Sequence, residues 1–176
     1  MENLSSSYGI TSKWLRDDDP LFPCTDVAER HKLYCYLMVT SRILPLEGWD
    51  YAKAADWCRK AENNWVATCF QSLGRDASGS TRQDAGEIVR LCRFAGRWED
   101  DCVYGAARDI TSNDAGARRA RLLCERAAGR LRPTCFNGIG TILRGLSASE
   151  EEARAACAAA TTSYLSACLR GAGLAS

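Results

Sequence analysis

Histidine, proline and methionine are scarce in this chain: one His, four Pro and two Met among 176 residues. His31 alone cannot build a histidine-based metal site, and no CxxC or CxxxC supplies the short ligand spacing of structural zinc sites. Without CxxCH there is no covalent c-type haem, and without CxxC the usual redox-exchange motif is missing. No apolar run reaches the roughly 18–20 residues that cross a bilayer, so no membrane span is expected. Charge of one sign is lacking too: 23 basic against 22 acidic residues give a net +1. No global field therefore draws in nucleic acid or anionic lipid, and no nucleic-acid partner is expected. The opening residues MENLSSSYGI have neither the basic start nor the apolar core of a signal peptide. Asn3-Leu4-Ser5 fits a glycosylation sequon, a triplet common by chance. The hydrophobic fraction of 46% is that of a folded chain.

What is abundant is cysteine. Ten in 176 residues is an even number and well above normal usage. Reduced cytosolic proteins seldom carry so many unless they bind metal, whereas exported proteins use them as cross-links. An extracytoplasmic setting (secreted, periplasmic or cell surface) is therefore expected. The cysteines fall in pairs, 24/35, 58/69, 92/102, 124/135 and 157/168, with spacings of 11, 11, 10, 11 and 11. Successive first cysteines lie 34, 34, 32 and 33 residues apart. The chain reads as a repeat of about 33 residues per unit. Residues 1–19 form an N-terminal extension and 20–176 a single domain, with units near 20–46, 47–80, 81–113, 114–146 and 147–176.

Alignment on the cysteines exposes packing positions. Three residues after each first cysteine stand Val27, Ala61, Ala95, Ala127 and Ala160. Four before each second cysteine stand His31, Trp65, Trp98, Leu131 and Tyr164, so His31 is expected to pack as its counterparts do. Three after the second cysteine stand Met38, Ser72, Gly105, Gly138 and Gly171, mostly small, which predicts close approach of neighbouring helices.

Each unit predicts two helices. Asp50, Asp84 and Ser149, eight residues before a first cysteine, mark helix starts, and Asp84/Glu87 and Ser149/Glu152 fit the reciprocal capping box. Breakers separate the paired cysteines: Asn63-Asn64, Gly96, Gly129 with Pro133, and Thr161-Thr162-Ser163. Pro133 belongs in a first turn, so a second helix begins just before Cys135 and, by analogy, before the other second cysteines. Pro20 and Pro23 interrupt the leading helix of the first unit. The expected fold is all-α, an α/α solenoid of about five helical hairpins.

In one unbroken helix, cysteines 11 apart would lie about 16 Å apart along the axis, too far for a bond. Across a tight hairpin the bond is easy, and each would remove about 2.5–3 kcal/mol of unfolded-state freedom. The expected pairs are Cys24–Cys35, Cys58–Cys69, Cys92–Cys102, Cys124–Cys135 and Cys157–Cys168, one per hairpin. Ten cysteines permit other pairings, and bonds between neighbouring units stay open, as does a thiol-rich metal-binding or storage protein.

No cofactor is expected, and no catalytic constellation stands out. Arg75-Asp76 recurs one unit later as Arg108-Asp109, which fits a ladder of charged contacts near hairpin ends. An enzyme on a helical scaffold would place its acid–base groups on these four residues. Arginines cluster at 108, 118, 119, 121, 126, 130 and 132, the best stretch for an anionic partner, but it lacks the aromatic interleaving that single-stranded nucleic acid favours. The candidate partner surface is Arg118, Arg119, Arg126 and Arg130, together with Arg75, Asp76, Arg108 and Asp109. Trp14, Trp49 and Trp57 are further candidate anchors wherever they are exposed.

The stretch YAKAADWCRKAENNWVATCFQSLG, residues 51–74, resembles the Sel-one-like branch of tetratricopeptide-type repeats, especially its cysteine-rich secreted members. The resemblance rests on the Ala-rich first helix, the Ala after the first cysteine and Leu-Gly after the second, and spans roughly 50–173. The cysteine spacing is longer and the unit shorter than in that family. The resemblance implies an α/α solenoid with one disulfide per hairpin, acting as a protein-interaction scaffold. The expected function is thus non-catalytic: binding a protein partner, or self-association into a dimer or filament.

Overall fold

The fold was analysed in a computed structural model that describes residues 15–114 and 117–174. All regular structure among the described residues is helical. Ten α-helices follow in order: α1 (Glu29–Tyr36), α2 (Thr40–Leu46), α3 (Tyr51–Arg59), α4 (Val66–Ser80), α5 (Ala85–Cys92), α6 (Glu99–Asn113), α7 (Arg118–Arg126), α8 (Arg132–Leu146), α9 (Glu150–Ala160) and α10 (Leu165–Gly171). Short 3₁₀ turns at Asn63–Trp65, Arg93–Trp98 and Gly129–Leu131 join three of the helix pairs.

Side-chain caps start the leading helices. Asp50 accepts from the N–H groups of Ala52 and Lys53, Asp84 from Glu87, and Ser149 from Glu152. The capping box is only half made. Glu152 reaches one residue further back, accepting from the Ala148 N–H at 2.7 Å, and Glu87 pairs with Arg90 instead. Pro133 sits in the first turn of α8, where its missing N–H has no bond to lose. The helices α4, α6, α8 and α10 all begin three residues before their second cysteine. In the first unit, turns replace a leading helix over residues 20–26, where the two prolines stand.

All ten cysteines are bonded: Cys24–Cys35, Cys58–Cys69, Cys92–Cys102, Cys124–Cys135 and Cys157–Cys168, with Cα separations of 5.4–5.7 Å. None joins neighbouring units. The hairpin with the shorter, ten-residue spacing turns through Gly96 at φ 62°, a left-handed conformation that suits glycine. The other hairpin turns contain no positive φ.

The second helices pack in series, α4 on α6, α6 on α8 and α8 on α10, while α5 rests on α7. Their backbones nearly touch. A Cβ added at Gly74 would stand 1.8 Å from the Cys102 carbonyl oxygen, and one at Gly105 would stand 2.0 Å from that of Gln71. The same reciprocal contact joins α8 and α10, with 1.9 Å from Gly140 to the Cys168 oxygen and 1.9 Å from Gly171 to the Asn137 oxygen. Between α6 and α8 the fit is looser, with Ala107 opposite Gly138. Between the first two hairpins hydroxyls take over: Thr40 Oγ1 lies 2.6 Å from Ser72 Oγ, both residues fully buried. Glycine is required here because backbone carbonyls, unlike side-chain ends, cannot swing aside.

Two glycines of α4 give a direct test. Gly74→Ala is expected to destabilise the protein by about 2–4 kcal/mol through overpacking. Gly79→Ala, with open space around its Cβ, is expected to stabilise by about 0.5–1 kcal/mol through helix propensity. Urea titration of the two variants checks the opposite signs.

Candidate partner-binding surface

The four residues of the recurring Arg-Asp pairs lie on the second helices α4 and α6, six and seven positions after the second cysteine. A groove of about 210 Å³ runs over three of them, Arg75, Arg108 and Asp109; Met38, Gln71 and Ile142 also line it, so it draws on four consecutive hairpins. Arg75 pairs with Asp76, whose Oδ1 lies 2.6 Å away, and also reaches Ser41 Oγ and Met38 Sδ. Asp76 accepts from Thr40 Oγ1 at 2.7 Å, and Asp109 from Ser78 Oγ at 2.8 Å. Each carboxylate thus bonds a hydroxyl of the preceding hairpin. Arg108 lies over the Tyr104 ring, 5.5 Å from its centroid, and its buried Nε bonds nothing. The expected charged ladder is therefore mainly carboxylate to hydroxyl. It leaves the Arg108 guanidinium stacked in the groove wall.

The remaining candidates lie elsewhere. Arg118, Arg119 and Arg126 are exposed on α7, a leading helix, and Arg130 follows in the turn, paired with Glu99 of α6. Arg119 and Arg126 border a shallow depression of about 790 Å³ shared with the loop at residues 81–86. The eight residues therefore form two groups on different helices rather than one surface. Leading and second helices lie on opposite sides of each disulfide turn, and sequence proximity of the arginines carries no information about that division.

Of the aromatic anchors, Trp14 lies outside the described residues, as does the Asn3 sequon. Trp49 is 57% exposed. Trp57 is half-buried and donates its indole N–H to Glu47 Oε1 at 2.7 Å. His31 does not pack: it is exposed, and its Nε2 accepts from the Arg30 Nε at 3.1 Å. In three later hairpins the position of His31 stacks on the residue that follows the preceding second cysteine, and Cys24–Cys35 is the first pair in this sequence.

That covering contact is the element the sequence reading missed. Tyr36, Phe70 and Phe136 each follow a second cysteine directly. Each stacks on the aromatic residue four before the next second cysteine: Tyr36 on Trp65, Phe70 on Trp98 and Phe136 on Tyr164, with centroids 5.8, 5.2 and 5.1 Å apart. At the remaining junction the same two positions hold Val103 and Leu131, both buried. Aromatic meets aromatic at three junctions and both positions are aliphatic at the fourth, a pattern visible in the aligned repeats once both positions are compared.

A polar tie reinforces the first junction. Lys32 Nζ donates to both Glu62 oxygens, at 2.5 and 2.7 Å, and Tyr36 Oη donates to Oε2 at 3.1 Å. Burial, and then the Glu62 charge, push the Tyr36 phenol up, so it stays a donor. The Lys32 hydrogen bond holds Glu62 below its ordinary value, outweighing a desolvation effect that raises it. Asp101, near the groove through a 3.4 Å contact from Gln71, is pushed up by burial and by Asp100.

A carboxyl lowered on folding adds stability that is complete above its ordinary value and lost as pH falls through the lowered one. The stability advantage of the native protein over Glu62→Gln is therefore expected to hold above pH 4.5 and shrink below it. An equal gap at pH 6 and well below pH 4 would contradict the tie. For the stack, a double-mutant cycle of Phe70→Leu and Trp98→Leu is expected to give a coupling of about 0.5–1.5 kcal/mol.

No family model, no curated protein and no solved structure matches this chain.

Proposed function

We propose that the chain is a non-catalytic α/α solenoid of five disulfide-stapled hairpins that binds a protein partner or assembles with itself outside the cytoplasm. The observation that carries this reading is the groove over α4 and α6, to which four hairpins contribute residues. A surface built from the same positions of successive units arises from stacking, and stacked hairpins offer extended binding faces. Serial packing of the second helices, the recurring ring stacks and the resemblance to Sel-one-like repeats support the solenoid arrangement. The domain limits follow the sequence units, with residues 15–19 joined to the first hairpin through the Asp17–Arg42 pair.

Five disulfides fit an oxidising compartment. No helix among the described residues is long and apolar enough to cross a membrane. With every cysteine bonded, the thiols that a metal-storage protein needs are consumed. Asp76 and Asp109 already accept hydrogen bonds from hydroxyls of neighbouring hairpins, a role that suits a structural tie better than acid–base work.

A photo-reactive benzoylphenylalanine at Gln71 or Ser112, in the groove, tests the reading, with Asp56 on a leading helix as control. Irradiation in the protein's own extracellular milieu is expected to give one adduct of discrete mass from the groove positions only. Arg108→Ala should lower its yield about tenfold, as loss of one charge-assisted contact would. Equal adducts from Asp56, or none from the groove, would count against the proposal.

A further inference from the structure

We infer that the outer face of α7, with the loop before α5, docks an acidic segment of a protein partner that carries one large apolar side chain among its carboxylates. The inference rests on the reading of the chain as a binding protein. It assigns the partner's chemistry at a second surface, away from the groove.

The depression there is lined by Arg82, Arg119 and Arg126, with Leu122 also in its wall and 56% exposed. Its one acid, Asp84, turns its Oδ1 to the Glu87 N–H at 2.8 Å as the cap of α5. Among the described residues Arg82 and Arg126 have no carboxylate partner, and Arg119 is steadied by Gln83 Oε1 at 3.0 Å. Three guanidinium groups around an apolar side chain complement carboxylates spaced around an apolar side chain. A sulfated polysaccharide would gain nothing from Leu122.

An internal comparison shows that Arg82 is present at a local cost. The loops Gly48-Trp49-Asp50 and Arg82-Gln83-Asp84 are built alike. The first two residues are left-handed (φ 62° and 64°; 54° and 66°), and the third caps the next helix. In both, the second residue's N–H closes the preceding helix, from Trp49 to the Leu44 oxygen at 2.7 Å and from Gln83 to the Ser78 oxygen at 2.8 Å. The position that takes Gly48 in one loop takes Arg82 in the other, although left-handed backbone favours glycine. In α7, Arg118 and Arg119 stand in the first turn, where Asp114 just before the helix accepts from the Arg119 N–H at 3.0 Å and offsets the dipole's effect on the two cations. Binding accounts for an arginine at position 82, where the left-handed backbone alone favours glycine.

The test is a selection of displayed random peptides on the full, disulfide-bonded chain. Retained peptides are expected to be rich in Asp and Glu around one large apolar residue. Arg82→Gly should bind the selected peptide about tenfold more weakly while denaturing at the same or a higher temperature. Leu122→Ser should also weaken binding, which separates the site from any general effect of positive charge. Acidic peptides whose affinity ignores Arg82→Gly and Arg126→Glu but falls with Arg108→Ala would overturn this inference and leave the binding-protein reading standing. Retention of no peptide would count against both. A heparin fragment that binds better than any peptide, regardless of Leu122, would replace the acidic segment with a polyanion. Self-association lost in both Arg126→Glu and Glu150→Arg would make a second copy the occupant, and the inference would fall.

Discussion

The close approach of successive second helices sets the terms for the rest of the molecule. Where Gly74 faces the Cys102 carbonyl and Gly105 faces that of Gln71, nothing larger than hydrogen fits. Close-packed backbones gain dispersion contacts over their whole length and weak Cα–H to carbonyl bonds. They also fix the register, because a slide of one residue along either helix would drive a side chain into a carbonyl. The ring stacks depend on that register. Phe70 can lie on Trp98 only when the residue after one cysteine comes level with the residue four before the next.

Close approach has a cost that the disulfides offset. Helices of glycine and alanine bury little apolar area each: the inward residues of α9 are Ala153, Cys157 and Ala160. Nine of the ten cysteines are buried to 1% exposure or less, so each bond also serves as apolar filling at the base of its hairpin. The cross-link limits the unfolded chain just where side chains contribute least to the folded one. Small residues and staples are thus two sides of one solution, and the staple recurs at the same two positions in every unit while the small residues vary from glycine to serine.

This division explains what was legible in the sequence. Covalent and local requirements leave marks at fixed offsets: cysteine spacing, the Asp50, Asp84 and Ser149 caps, Pro133 in a first turn, and small residues three after the second cysteine. Contacts between units leave marks only when two offsets are compared across a junction, so the Tyr36, Phe70 and Phe136 partners went unseen. His31 departs from its counterparts in a related way: it is exposed, whereas Leu131 is buried and Trp65, Trp98 and Tyr164 stack on the preceding unit. The arginine cluster misled in another way. Seven arginines between 108 and 132 look continuous, yet they are spread over α6, α7, the turn after α7 and the start of α8.

The first and last described hairpins depart from the pattern between them. In the first, the position that stacks in later units is the exposed, polar His31. In the last, Leu169 follows the second cysteine, as the stacking residues of earlier units do. There the chain folds back. Gly173 turns left-handed at φ 69°, its N–H bonds the Arg170 oxygen at 3.0 Å, and the Leu174 N–H bonds the Leu169 oxygen at 2.8 Å. This is the Schellman arrangement, whose usual companion is an apolar contact between the residues joined by the longer bond. Leu174 is accordingly 6% exposed and Leu169 half-buried. Leu174 thus covers Leu169 at the end of α10. The groove draws on four hairpins and the depression beside α7 on two, so both surfaces are products of packing between units rather than of any one hairpin.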